Sequence, residues 1–201
     1  MKTSAYLTKE DVALHRTSEN LWVSKFGKVY DLTNLVRTAP SGETEAIVRA
    51  AGTDITYWFD PKTKDFPLVT DPLETRYRLP FGLPMLDADK KENPWWKNED
   101  YCIGLLGHDR PLEILNTLTL HRHKLMVCEE ETLAEIAARY SRFNSNALGY
   151  RWRFDEKDLD MSKTLTENGI KDERENFLKL GWPEDQWYIP CIILVWKDQL
   201  L

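Results

Sequence analysis

Histidine is scarce in this chain: four occur in 201 residues, and none lies between Gly52 and Gly107. That stretch must do without an imidazole as metal donor or as general base. Cysteine is scarcer still, with Cys102, Cys128 and Cys191 set far apart. An odd count without a Cys-x-x-Cys pair excludes a disulfide framework and predicts a reducing compartment, with thiols that are mostly buried and inert. Long apolar runs are missing too. The longest strongly apolar one, 191–196, is six residues, far short of the ~20 that a membrane helix needs. Residues 1–9 hold no apolar h-region, which predicts the absence of a signal peptide. No Gly-rich phosphate loop or Ser-His-Asp order appears, so neither an enzyme active site nor a small-molecule substrate is expected. Basic residues are outnumbered 27 to 33, for a net charge of −6. That balance argues against nucleic acid, whose phosphates demand clustered Lys and Arg.

What is present suffices for two small cores. Apolar residues make up 42% of the chain and include eight Trp, so wholesale disorder is excluded. Thr8-Lys9-Glu10-Asp11 opens like a capping box. Residues 21–23 and 29–32 are β-prone runs around Gly27-Lys28 and predict a hairpin. Ser41 or Thr44 starts a helix with Ile47, Val48, Ala50 and Ala51 as its buried stripe and Gly52 as its end. A second short helix is expected over 54–59, stopped by Asp60-Pro61.

Six of the ten prolines then fall between Pro61 and Pro94, where neither helix nor central strand is comfortable. Phe66, Tyr77, Phe81, Trp95 and Trp96 are interleaved with them. An extended arm is expected, docking its aromatics either onto a partner, with Phe81, Trp95 and Trp96 as anchors, or onto the chain's own domains.

Beyond Tyr101, residues 112–119 and 124–128 read as two strands around a turn holding His121 and His123, a solvated pair. Glu129, Glu130 and Glu131 precede a helix and favour its dipole. Thr132 and Glu135 form a second capping box, and Leu133, Ile136, Ala137 and Tyr140 make one apolar face. Residues 150–154 alternate aromatic and basic side chains. Arg151 and Arg153 therefore share one side of a strand, where partner recognition is expected. Asp155, Glu156 and Asp158 read as a solvated turn, and residues 192–196 as a last strand. This order of strands and helix, with the Leu159-Asp160 … Thr164-Leu165 … Gly169-Ile170 crossing turn, resembles a ubiquitin-like β-grasp. The end Lys197-Asp198-Gln199-Leu200-Leu201 has no Gly-Gly to conjugate, so a binding module is expected.

Residues 21–33, followed by Ala39-Pro40-Ser41-Gly42 and Ala51-Gly52-Thr53-Asp54, resemble the core of the cytochrome b5 family. In that family a His-Pro-Gly-Gly turn stands where Ala39 to Gly42 stand here, and its His binds haem iron; a second His follows the Ala-Gly-x-Asp segment. Ala39 has no lone pair to offer. Tyr57 is the one nearby side chain able to reach iron, as a phenolate; otherwise it is a core or rim aromatic. His15 is expected on the surface of the first helix, and His108 in a loop.

The segments Trp58-Phe59-Asp60-Pro61-Lys62-Thr63-Lys64-Asp65, Pro94-Trp95-Trp96 and 164–172 extend the resemblance, over residues 6–198, to the cytochrome b5 domain-containing protein 1 family. The expected fold is α+β: a cytochrome b5-like domain over 1–66, an extended Pro- and aromatic-rich linker arm over 67–100, and a ubiquitin-like β-grasp domain over 101–201. The resemblance implies a non-enzymatic adaptor of the radial spoke in the axoneme of cilia and flagella, bound to other axonemal proteins. No cofactor is expected; the alternative is a haem-binding redox sensor with unusual ligation.

Overall fold

A computed structural model describes residues 5–40, 42–67, 86–87 and 93–197. Two compact units emerge. One comprises Lys9–Leu106; the other comprises Gly107 onward together with the strand β1 (Tyr6–Leu7), whose Leu7 carbonyl accepts the Gly107 N–H at 3.0 Å.

In the first unit, α1 (Lys9–Leu14) leads into β2 (Arg16–Thr17), β3 (Asn20–Lys25) and β4 (Lys28–Asp31). The expected hairpin forms, with Val23 opposite Tyr30 and Lys25 opposite Lys28. Phe26 and Gly27 carry φ of 48° and 74° at its turn, the left-handed geometry that matches the twist of the strands. A helix not expected from sequence follows, α2 (Thr33–Thr38). Its first N–H is capped by the Asp31 carboxylate at 2.9 Å. It ends at Ala39, which is extended at ψ 156°, as a residue before proline must be.

The next helix, α3 (Glu45–Arg49), starts after Thr44 as expected but stops before Gly52. Gly52, at φ +78°, is needed for a different reason: a Cβ there would come within 3.3 Å of the Ala13 backbone. The segment after it threads beside β3, where the Ser24 N–H donates to the Thr53 carbonyl and the Ile55 N–H to the Ser24 carbonyl. A single 3-10 turn, Thr56–Trp58, replaces the short helix expected over 54–59.

The domain boundary also moves. Residues 102–106, expected to open the second domain, form β5 (Cys102–Leu106) and pair antiparallel with β4, placing Leu105 opposite Lys28. The sheet order in this unit includes β5-β4-β3-β2. Trp95 and Trp96 are 2% and 5% exposed and belong to the same core as Leu21, Val23, Ile55 and Trp58. This end of the expected arm is therefore part of the first unit. Most of the arm, including Phe81 and Tyr77, lies outside the described residues.

The second unit is a mixed five-stranded sheet in the order β7-β6-β10-β8-β9. Its strands are β6 (Asp109–Asn116), β7 (Arg122–Cys128), β8 (Tyr150–Phe154), β9 (Lys157–Asp158) and β10 (Cys191–Trp196). The β6–β7 hairpin is antiparallel and β10 pairs parallel to β6. This is the ubiquitin-like β-grasp arrangement. Helix α4 (Leu133–Tyr140) has the full capping box between Thr132 and Glu135, and buries Leu133, Ile136, Ala137 and Tyr140. All four are the residues that the 3.6-residue period selects. A further helix, α5 (Arg174–Lys179), has no buried residue and no apolar periodicity to announce it.

Candidate functional site

The turn that holds an iron ligand in cytochromes b5 is occupied here by Ala39, half-buried against the first unit's core. A methyl group supplies no electron pair, and the unit's one His, His15, stacks on Trp22 with ring centroids 3.4 Å apart while its Nδ1 lies 2.7 Å from the Asp11 carbonyl. Tyr57, the expected alternative ligand, is 61% exposed, a rim aromatic edge-on to Trp58. Trp58 and Trp95 bury indole N–H groups that have no acceptor among the described residues, but an indole N–H donates only and cannot ligate. The donor set does not fit a bis-histidine haem.

Around Trp96 the unit assembles a different set of groups. The Trp96 indole N–H donates to Asp65 at 2.8 Å, and Lys97 pairs with the same carboxylate at 2.5 Å. Phe66 packs edge-on against Trp96, with centroids 4.7 Å apart. The role of partner anchor weighed for Trp95 and Trp96 thus gives way to the alternative weighed with it: their rings cover the chain's own core. The Trp96 carbonyl accepts a hydrogen bond from the ammonium of Lys25. Lys25 is buried, 6% exposed, with its Nζ 4.5 Å from the centre of the Tyr30 ring and 5.2 Å from that of Phe59. Burial holds its pKa down to about 8, and raises that of the Tyr30 phenol to about 12. Both shifts have the same origin, since burial penalises whichever form is charged.

A cleft of about 290 Å³ opens over this group. Lys28 and Glu99 form an ion pair of 2.7 Å on its rim. Sequence reasoning missed Lys25, yet a signal existed. Leu21, Val23 and Lys25 stand at i, i+2 and i+4 of one strand, so the inward face that buries two aliphatics also buries the lysine.

In the second unit the three carboxylates before α4 do more than face a helix dipole. Glu129 pairs with Arg110 at 2.6 Å, Glu130 with His108 at 2.6 Å, and Glu131 with Arg139 at 2.8 Å. Arg110 is 2% exposed and also donates to the carbonyls of Ile170 and Lys171 at 3.0 and 2.8 Å. It thereby ties the crossing turn to β6. His123, expected in a solvated turn, stacks on Phe143 with centroids 4.3 Å apart. Among the described residues no cluster of His, Cys, Asp or Glu could hold a metal ion. Cys128 is buried, whereas Cys102 and Cys191 are half-buried. Burial pushes the Cys191 thiol above the usual cysteine value.

Arg151 and Arg153 do share one side of β8, and both turn toward Asp158, at 4.0 and 3.1 Å. In the neighbouring strand Ile193 stands beside Arg153, Val195 beside Arg151, and Leu115 of β6 lies opposite Ile193. Ile193 is 38% exposed. On the other flank Arg122 and Lys124 of β7 stand opposite Leu115 and Glu113. The open face of this sheet is therefore an apolar centre between two margins of net positive charge, in which Asp158 pairs with Arg151 and Arg153, and Glu113 with Arg122 at 2.8 Å.

Residues 8–67 match the family model described as Cytochrome b5-like Heme/Steroid binding domain. Cytochrome b5 domain-containing protein 1 of Mus musculus is 40% identical over 97% of this chain and 91% of its own length; that of Homo sapiens is 41% identical over the same shares. A solved N-terminal ubiquitin-like domain is 14% identical over 46% of this chain and 79% of that one, with a TM-score of 0.34. With identity at this level over nearly its whole length, the chain belongs to the cytochrome b5 domain-containing protein 1 family.

Proposed function

We propose that this chain is a non-enzymatic adaptor of the ciliary axoneme, a radial-spoke component that binds its neighbours through the open sheet face of the ubiquitin-like unit. The observation that carries the reading is the juxtaposition of Ile193, Val195 and Leu115 with Arg151 and Arg153 on one margin and Arg122 and Lys124 on the other. An exposed apolar centre within a charged rim is the anatomy of a protein interface. Its partner is a protein segment that sets an apolar anchor among carboxylates, complementary to this face in charge. The adaptor role and the axonemal setting both rest on the resemblance traced in the sequence. No haem chemistry enters, because Ala39 and the exposed Tyr57 offer iron no suitable pair of donors.

The experiment is incorporation of tagged full-length protein into axonemes. Ile193→Asp, and separately the double variant Arg151→Glu with Arg153→Glu, should fold normally, because these side chains lie outside the core, and should fail to incorporate. Normal incorporation of both variants would overturn the assignment of this face; absence of the wild-type chain from axonemes would overturn the adaptor role.

A further inference from the structure

Outside the sheet face, the cleft over Lys25 combines features that a merely structural lysine does not need. Four lysines border it, Lys25, Lys28, Lys64 and Lys97, against one carboxylate, Glu99. Glu99 is taken by Lys28, and Asp65 outside the cleft is taken by Lys97. Lys25 and Lys64 have no carboxylate in ion-pair contact among the described residues. Lys64 instead lies over the Phe26 ring at 5.7 Å. The cleft walls add the rings of Phe26, Tyr30 and Trp96 and the hydroxyl of Thr63. A cation sunk among aromatic rings is costly unless something offsets its lost hydration. Here the Trp96 carbonyl and the ring faces do so in part. An ammonium carries three donors, and among the described residues one hydrogen bond, to the Trp96 carbonyl, uses them.

The geometry points to a binding site for a small organic anion, a single aromatic or planar ring bearing one phosphate or carboxylate, with Lys25 and Lys64 as charge partners and Phe26, Tyr30 and Trp96 as the ring's walls. The volume of about 290 Å³ is at the small end of the range for ligand pockets, ~300–1,000 Å³, which limits the body to about one ring. The anion is a ligand that is held: the Tyr30 phenol beside Lys25 is raised well above neutrality and is no base there. Binding would supply the counter-charge that Lys25 lacks and hold its ammonium form.

Phenyl phosphate, benzoate and inorganic phosphate are the probes, titrated calorimetrically into the full-length protein. Saturable binding of phenyl phosphate or benzoate, with inorganic phosphate weaker because it leaves the aromatic walls uncovered, is expected; which ring anion binds tighter identifies the anionic group. Lys25→Met keeps the side chain's length and apolar stem, and should weaken binding at least ~10-fold, the loss expected for a charged hydrogen bond. Lys64→Ala should weaken it less. Because the variant tests folding as well as binding, a second measurement uses wild-type protein alone: phenyl phosphate should suppress acetylation of Lys25 by an amine-reactive ester. No saturation by either ring anion below ~10 mM, unchanged affinity in Lys25→Met, or unchanged acetylation of Lys25 would each overturn the site.

Discussion

The Trp96 indole donates to the Asp65 carboxylate at 2.8 Å, joining residues 31 positions apart in the chain. The same carboxylate caps the Phe66 N–H at 3.0 Å and pairs with Lys97. Asp65 therefore closes the proline-rich excursion by binding both of its ends into one unit.

Asp65→Ala should destabilise the first unit by ~1–3 kcal/mol, because it leaves a buried indole N–H without an acceptor. The effect should depend on pH. Burial raises the Asp65 pKa, but the hydrogen bonds from Lys97, Trp96 and Phe66 outweigh it and hold the carboxyl below its ordinary value. Such a group contributes stability that is present above the unfolded aspartate pKa near ~3.9 and lost as pH falls below it. Wild type and variant should converge in acid, as followed by chemical denaturation at several pH values.

Glu131 is 1% exposed, accepts the Cys128 N–H at 2.8 Å and pairs with Arg139. Glu131→Ala removes the acceptor of the Cys128 N–H and one partner of Arg139, and should lose ~1–3 kcal/mol. Glu131→Gln retains the shape and one acceptor and should lose less. Urea unfolding followed by circular dichroism gives both values; equal and small losses would show that the pair is dispensable.

Thr132 accepts the Glu135 N–H at 3.3 Å, and the Glu135 carboxylate accepts the Thr132 N–H at 2.9 Å. Thr132→Ala should destabilise the second unit by ~1 kcal/mol, the usual worth of an N-cap. Thermal melts of the two proteins, compared at the variant's midpoint, measure it.

Lys25 predicts the same sign of pH dependence as Asp65, in an alkaline window. Its folded pKa is lowered to about 8, chiefly by burial, with Lys28 and Lys64 acting in the same direction and Glu99 and Cys102 against it. Between about pH 8 and the unfolded value near ~10.4 the unfolded chain binds more protons, so stability rises with pH through that window. Tyr30, raised to about 12, works against it above pH ~10. Wild type should gain stability relative to Lys25→Met as pH climbs from 8 to 10; a constant difference would mean that Lys25 is not desolvated in solution.

Purified protein mixed with haemin should show no sharp low-spin Soret band with resolved α and β bands. Ala39→His alone should not restore one, since the residues from Gly52 to Gly107 still contain no second His. A low-spin spectrum in wild type that survives His15→Ala would reveal a donor pair that the structure does not show.

Local patterns carried far in this protein. The apolar face of α4 and its capping box followed from Thr132, Glu135 and the spacing of Leu133, Ile136, Ala137 and Tyr140. The β3–β4 hairpin followed from two β-prone runs around Gly27-Lys28, although its turn falls one residue earlier, on Phe26-Gly27, and the loss of the iron ligand followed from one letter at position 39. These are interactions between residues a few positions apart, and periodicity and cap chemistry describe them fully. Helices α2 and α5 escaped because neither buries a residue; without an apolar stripe there is no period to read.

By itself, then, the sequence determined the two-unit α+β plan, the hairpins, the helix that crosses the second sheet, and the missing haem donors. Only the tertiary structure decided that Trp95 and Trp96 cover the chain's own core, that residues 102–106 join the first sheet, and that Lys25 is buried beside Trp96. The reason is sequence separation. Asp65 and Trp96, Lys25 and Trp96, or Arg110 and Ile170 meet across 31, 71 and 60 positions. At such distances the alternative partners of a tryptophan, a lysine or an arginine look alike in one dimension. Burial selects among them only after the sheets have formed.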